Sequence, residues 1–277
     1  MSADADFVAQ YLRAHDRDRY LATLMLAPKE RQAVTTLYAF NADVASVRDR
    51  AREPAAGEIR LQWWKDALAG EGHGAVRQNP LAAALLDTIA EYGLPVPPLT
   101  RLLTARRFDL YDDPMPDVAT FEGYAGESNS ALYQMAAMIL NRGPVESGDA
   151  AGHLGVAHAL TGHLRAFGFY AAQGRMFLPW SVFAANGVNE QEVFAGQASE
   201  GLAEALGQLT EMAAGHLASA EAAIRALPRA LRPAFAHSAM LKPQLDRLDV
   251  ALPFRLQPDL SDWRKMLALT WSRMRTG

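Results

Sequence analysis

Residues 29–50 read KERQAVTTLYAFNADVASVRDR, and at helical spacing Val34, Leu37, Tyr38, Asn41, Ala45 and Arg48 fall along one stripe, with Val44 and Val47 beside it. The stripe begins apolar and turns polar midway. Asp49 stands one turn after Ala45, and positions four apart share a helix face, so a metal-dependent site on this face lacks its second carboxylate.

The same period recurs along the chain. Alanine and leucine dominate, isoleucine occurs at four positions only, and no stretch alternates apolar with polar residues over a strand length. Proline and glycine divide the chain into segments of helix length. The pattern predicts helices over 5–14, 29–50, 55–69, 80–92, 97–111, 118–141, 147–172, 199–226, 229–247 and 259–274, with a loop and short helices over 177–196. No linker, repeat or low-complexity block separates these segments. The reading is all-α, one domain over 1–277.

Half of the 277 residues are apolar and 21% are charged, the balance of a globular chain with a sizeable core. A net charge of -4 provides no general field for nucleic acid, so any polyanion site must be a local arginine cluster. With no cysteine, disulfides, thiolate metal sites and cysteine nucleophiles are excluded. The start MSADADFVAQ is acidic and lacks the features of an export or transit signal, which predicts a cytoplasmic protein. The best apolar run, ALYQMAAMIL at 131–140, is about half of the ~20 residues a bilayer span needs.

Few side chains suggest chemistry by themselves. His153, His158 and His163 recur every five residues, and each step turns the imidazole by about 140°, so the three cannot meet on one metal. His15, His73, His216 and His237 acquire no partner from sequence. Asp112, Asp113 and Asp117 cross two prolines and match no calcium loop; turn and capping roles suit them better. Trp63 and Trp64 diverge by about 100° on a helix, which places one in the core and one on a neighbour.

Taken in order, these blocks resemble the squalene/phytoene synthase family. YLATLMLAPKERQAVTTLYAF matches its opening run through Tyr20, Pro28, Arg31, Leu37, Tyr38, Ala39 and Phe40; LQWWKDAL matches its LxWWRxEL element through Leu61, Trp63, Trp64 and Leu68. LRAFGFYAAQGRMFLP matches LRDxxEDxxRGRxYLP through Leu164, Arg165, Gly174, Arg175, Leu178 and Pro179. The resemblance implies an isoprenoid-synthase-like helical bundle around a central cavity. It aligns the family's first pair of metal-binding carboxylates with Ala45 and Asp49 and its second with Ala166 and Tyr170, so three of the four are missing. In the synthases such pairs would hold magnesium against a departing diphosphate. Each tenfold loss of rate corresponds to about 1.4 kcal/mol of barrier, so losing several kcal/mol of that stabilisation suppresses turnover by orders of magnitude.

Within the family, AFN at 39–41 in place of AFC and NSAL at 129–132 resemble the phytoene-synthase-like assembly factors of respiratory complex I, which share the loss of both aspartate motifs. That likeness implies a catalytically degenerate chain with no cofactor, whose partners are complex I subunits or assembly intermediates, and it carries over no catalytic residue. The alternative is an active head-to-head isoprenyl diphosphate transferase that uses magnesium and recruits Asp43 or Asp109 beside Asp49. A third reading has Arg48, Arg165 and Arg175 hold the head group of an isoprenoid or lipid. The tail places Trp263, Leu267, Trp271 and Met274 on one side and Arg264, Lys265, Arg273 and Arg275 around it, which suits either a last core helix or a peripheral contact with the inner face of the cytoplasmic membrane.

Overall fold

Proline and small polar caps set most of the helix starts. The computed structural model describes residues 3–51, 53–72 and 74–276; His73 and the side chain of Arg275 lie outside the described set. Its helices are α1 (Ala3–His15), α2 (Arg17–Thr23), α3 (Pro28–Ala45), α4 (Val47–Arg50), α5 (Pro54–Ala69), α6 (Pro80–Tyr92), α7 (Val96–Ala105) and α8 (Val118–Ala125). A π-helical turn, Gly126–Ser130, joins α8 to α9 (Ala131–Asn141). Then follow α10 (Gly148–Arg165), α11 (Phe167–Ala171), α12 (Trp180–Ala185), α13 (Glu190–Phe194), α14 (Glu200–Ala226), α15 (Ser238–Leu245) and α16 (Asp262–Thr276). Pro28, Pro54 and Pro80 open α3, α5 and α6, where a missing N–H costs nothing. Asn79, Asp117, Asn189 and Ser199 cap α6, α8, α13 and α14 with side-chain oxygens. No strand occurs among the described residues.

Four expectations about helix extent need correction, and one helix was not foreseen. The helix foreseen over 29–50 stops at Ser46, because Ser46 Oγ and Arg50 Nη2 both donate to the Asp43 carbonyl, at 2.8 and 2.7 Å, in competition with the helical ladder. The helix foreseen over 147–172 breaks at Ala166, whose backbone sits at φ -96° and ψ 7°. The segment 97–111 ends its α-helix at Ala105 and finishes in a short 3-10 turn, Phe108–Leu110. Pro233 divides 229–247 into a 3-10 turn, Arg232–Phe235, and α15. The unforeseen α2 is nucleated by Asp16, whose carboxylate accepts from the Arg19 N–H.

One apolar core runs through the chain from Val8 to Leu245. Its axis is the packing of α10 against α14, with α3 and α9 alongside. Closeness is set by Gly155 on α10: a Cβ there would lie 2.5 Å from the Ser130 nitrogen and 2.7 Å from its Cα, so the π-helical turn presses directly on the α10 backbone. Trp64 is fully buried against Phe40, and Trp63 is only partly buried on the rim, as their divergence on the helix predicts. Helix α16 lies outside this core on α2 and α15, over a satellite cluster of Leu21, Ala22, Met25, Met240 and Leu269.

Candidate functional site

The four positions where paired carboxylates were expected all fall at the two helix interruptions. Ala45 ends α3 and Asp49 lies on α4, with its side chain 68% exposed. Ala166 is the break between α10 and α11, and Tyr170 lies on α11. Arg175, from the turn after α11, brings the two breaks together: its guanidinium stands 3.9 Å from Asp49 and 3.5 Å from Asp112. Arg48 reaches the same Asp112 oxygen at 3.2 Å. Two arginines therefore converge on Asp112 beside the first break. The acidic cluster divides its work: Asp112 holds this arginine pair, while Asp117 caps α8.

Aromatic rings occupy the ground behind them. Tyr170 meets Phe177 edge-on at 4.7 Å between centroids, and His163 stacks on Phe177 at 5.1 Å and lies against Phe121 and Tyr124. Burial, with the charge of Arg106, holds the His163 pKa down to about 3. Below the rings lies an ion pair that sequence reasoning did not foresee. Arg106 Nη1 donates to Asp109 at 3.0 Å and to the Tyr124 hydroxyl at 2.6 Å, and that hydroxyl donates to Asp109 at 2.7 Å. Burial raises the Asp109 pKa despite Arg106. A spacing of three within 106–109 was the available signal.

Asp43, the other carboxylate considered beside Asp49, is also occupied. It accepts from Trp64 Nε1 at 2.9 Å, Arg50 at 2.8 Å, the Tyr11 hydroxyl at 3.0 Å and Arg60 at 3.4 Å. Burial works against its ionisation, yet these donors keep its pKa below the usual carboxylate value.

Arg165 turns away from Arg48 and Arg175 to a different network. It pairs with Asp259 at 2.6 Å and lies 3.7 Å from Asp18. Lys265 of α16, almost wholly buried, bridges the same two carboxylates at 2.6 and 2.7 Å, and Gln244 donates to Asp18 at 2.7 Å. These groups are far apart in sequence, so no local pattern could unite them. The three α10 histidines go separate ways: His153 to His216, at 3.0 Å between Nδ1 atoms, His158 onto His237, at 4.1 Å between rings, and His163 into the aromatic cluster. A hollow of about 390 Å³ borders the rings at Phe108 and Tyr124, and two larger ones open elsewhere. One of about 490 Å³ is lined by Val47, Arg50, Ile59, Arg60 and Trp63, the other of about 470 Å³ by α7, α9 and α10 residues; neither is lined by Ala45, Asp49, Ala166 or Tyr170.

The model of the squalene/phytoene synthase family matches residues 12–264. The chain belongs to this family. A relative named NADH dehydrogenase (ubiquinone) complex I, assembly factor 6, from Bos taurus, is 25% identical over 274 residues, covering 94% of this chain and 82% of the relative. A presqualene diphosphate synthase from Rhodopseudomonas palustris is 26% identical over 211 residues, covering 76% of this chain and 75% of its own. A solved structure of a dehydrosqualene synthase in complex with ligand superposes with a TM-score of 0.78 at 22% identity, covering 99% of this chain and 97% of the other. At that identity the match is one of fold, and the isoprenoid-synthase-like bundle is the fold of this chain.

Magnesium, which the family resemblance implies, does not fit these residues. Ala45 and Ala166 offer no side-chain donor, and burial raises the pKa of the Tyr170 phenol within its ring cluster. Asp49, with its side chain 68% exposed, is the one carboxylate left at the four positions. Among the described residues no three histidine, aspartate or glutamate side chains gather into a metal-holding group.

Proposed function

We propose that this chain is a non-catalytic member of the squalene/phytoene synthase family that acts in the assembly of respiratory complex I. The observation that carries the reading is the lack of a carboxylate at Ala45, Ala166 and Tyr170, which leaves Asp49 alone where the synthase alignment calls for four. One carboxylate is too few donors to hold the divalent ions, and without them a departing diphosphate lacks its main electrostatic support. The relative named as a complex I assembly factor, which aligns over 94% of the chain, points to the role such a fold would keep. Arg48 and Arg165 already engage carboxylates of the chain itself, while Arg175 stands 3.5 Å from Asp112 and 3.9 Å from Asp49, and the reading rests on assembly with no head group assigned.

Deletion in the native host, scored together for assembled complex I on native gels and for isoprenoid content, tests it. The expected result is loss of the assembled complex with isoprenoids unchanged, restored equally by the wild-type chain and by Asp49→Ala. Loss of isoprenoids with the complex intact would overturn the reading, as would purified protein that joins two prenyl diphosphates in the presence of magnesium.

A further inference from the structure

Four of the large apolar side chains most exposed in the molecule belong to one helix. On α16 Trp263, Leu267, Trp271 and Met274 are 61, 59, 57 and 67% exposed. With Trp263 as the origin, 100° per residue puts all four within an arc of about 80°, flanked by Arg264 at about 100° and Arg273 at about -80°. The opposite face is anchored: Leu269 sits in the satellite core, and Lys265 is held by Asp18 and Asp259. The one acidic residue of the helix, Asp262, is turned to Arg17. The outward face is thus an apolar ridge with a cation on either side and no carboxylate among its described residues. In the segment leading into the helix, Leu256 is 97% exposed as well.

Among the described residues no helix is long and apolar enough to cross a membrane, so a bilayer contact here would be interfacial. A ridge differs from the usual peptide-binding surface, which is a groove. Tryptophans beside arginines match the headgroup layer, where amphipathic rings settle and cations meet anionic lipid. We infer that the outward face of α16 is a docking surface for an anionic bilayer, with the Trp263–Leu267–Trp271–Met274 ridge in the headgroup region and Arg264 and Arg273 paired with lipid phosphates. This surface is independent of the assembly reading, and either can fail alone.

Flotation of the full chain with phosphatidylcholine vesicles, with and without phosphatidylglycerol, tests the surface. Binding is expected to the anionic vesicles only and to weaken at high salt. The pair Arg264→Gln with Arg273→Gln should weaken it by about thirtyfold, from about one kcal/mol per cation near the surface. The triple exchange Trp263→Ser, Leu267→Ser and Trp271→Ser should abolish it, with an unchanged far-ultraviolet spectrum as the control for folding. If the triple exchange unfolds the chain, Leu267→Glu alone provides the same comparison. Equal flotation of wild type and the ridge variants would overturn the inference. So would no flotation with either lipid, and loss in those variants of a protein partner alone would assign the ridge to that protein instead.

Discussion

Tyr170 and Asp49 occupy aligned positions of the same kind, yet their surroundings give them opposite consequences. Asp49 is exposed and meets only a distant guanidinium, so Asp49→Ala should change stability by about 0.5 kcal/mol or less. Tyr170 packs on Phe177 and His163 close to the buried Asp109, whose own pKa is already raised. Returning a family-like carboxylate there, by Tyr170→Asp, removes the ring contacts and sets a partly buried charge near Asp109 that Arg106 and Arg175 only partly offset. Urea denaturation should show a loss of about 3 kcal/mol or more. A Tyr170→Asp chain as stable as wild type would mean that the vacant motif is still open space. Ala45 and Ala166 offer no donor whatever surrounds them, and that much was legible in the sequence. The rings that fill the ground behind were not, because they come from residues 108, 121, 124, 163, 170 and 177 on separate elements.

Helix α16 shows how a weakly packed element is held. Its apolar attachment is the buried Leu269 and the half-buried Met266 on a small cluster, so the buried ammonium of Lys265 between Asp18 and Asp259 does much of the holding. Burial opposes both charged forms; hydrogen bonds to Asp18 and Asp259 keep Lys265 above its ordinary pKa, and the charge that His237 takes up in acid, followed by the Lys265 hydrogen bond, keeps Asp18 below its own. Lys265→Met keeps the apolar stem and leaves Asp18 without its ammonium. Removing one partner of a buried pair typically costs about 3 kcal/mol or more. Hydrogen exchange should then accelerate over 262–276 while α10 keeps its protection. Unchanged exchange over α16 would show that the clamp is incidental. Arg165 joins the same carboxylates, so the break after α10 and the tail helix share one electrostatic knot.

Across the molecule, three histidines sit inside the fold as neutral rings. Burial holds His158 well below the ordinary histidine value of 6.5, His163 down to about 3 and His237 down to about 4. A base whose folded pKa is depressed binds fewer protons folded than unfolded between those two values, so stability is complete above pH 6.5 and declines as the pH falls toward 4. Each such ring contributes about 1.4 kcal/mol of loss per pH unit in that window. Asp18 and Asp43, depressed in the fold, add a second decline only below the ordinary aspartate value of 3.8. Urea titrations at pH 7.5, 6.0 and 5.0 should give steadily lower stability, with a shallower slope for His163→Phe, which the surrounding rings accommodate. A flat profile from 7.5 to 5.0 would contradict the burial of these rings.

The all-helical class, the family blocks, the helix starts at Pro28, Pro54 and Pro80, and the absence of carboxylates at Ala45, Ala166 and Tyr170 were determined by the sequence alone, because propensity, capping and donor chemistry are properties of single residues and their near neighbours. Tertiary structure decided where the helices break, which arginines converge and what the tail presents. At Ser46 the hydroxyl and the Arg50 guanidinium both take the Asp43 carbonyl, and Arg48 and Arg175 meet on Asp112 from distant stretches of the chain. Arg165, equally promising on paper, is drawn to Asp259 instead. Coulomb attraction depends on distances between elements, and those are fixed by the packing of the whole chain.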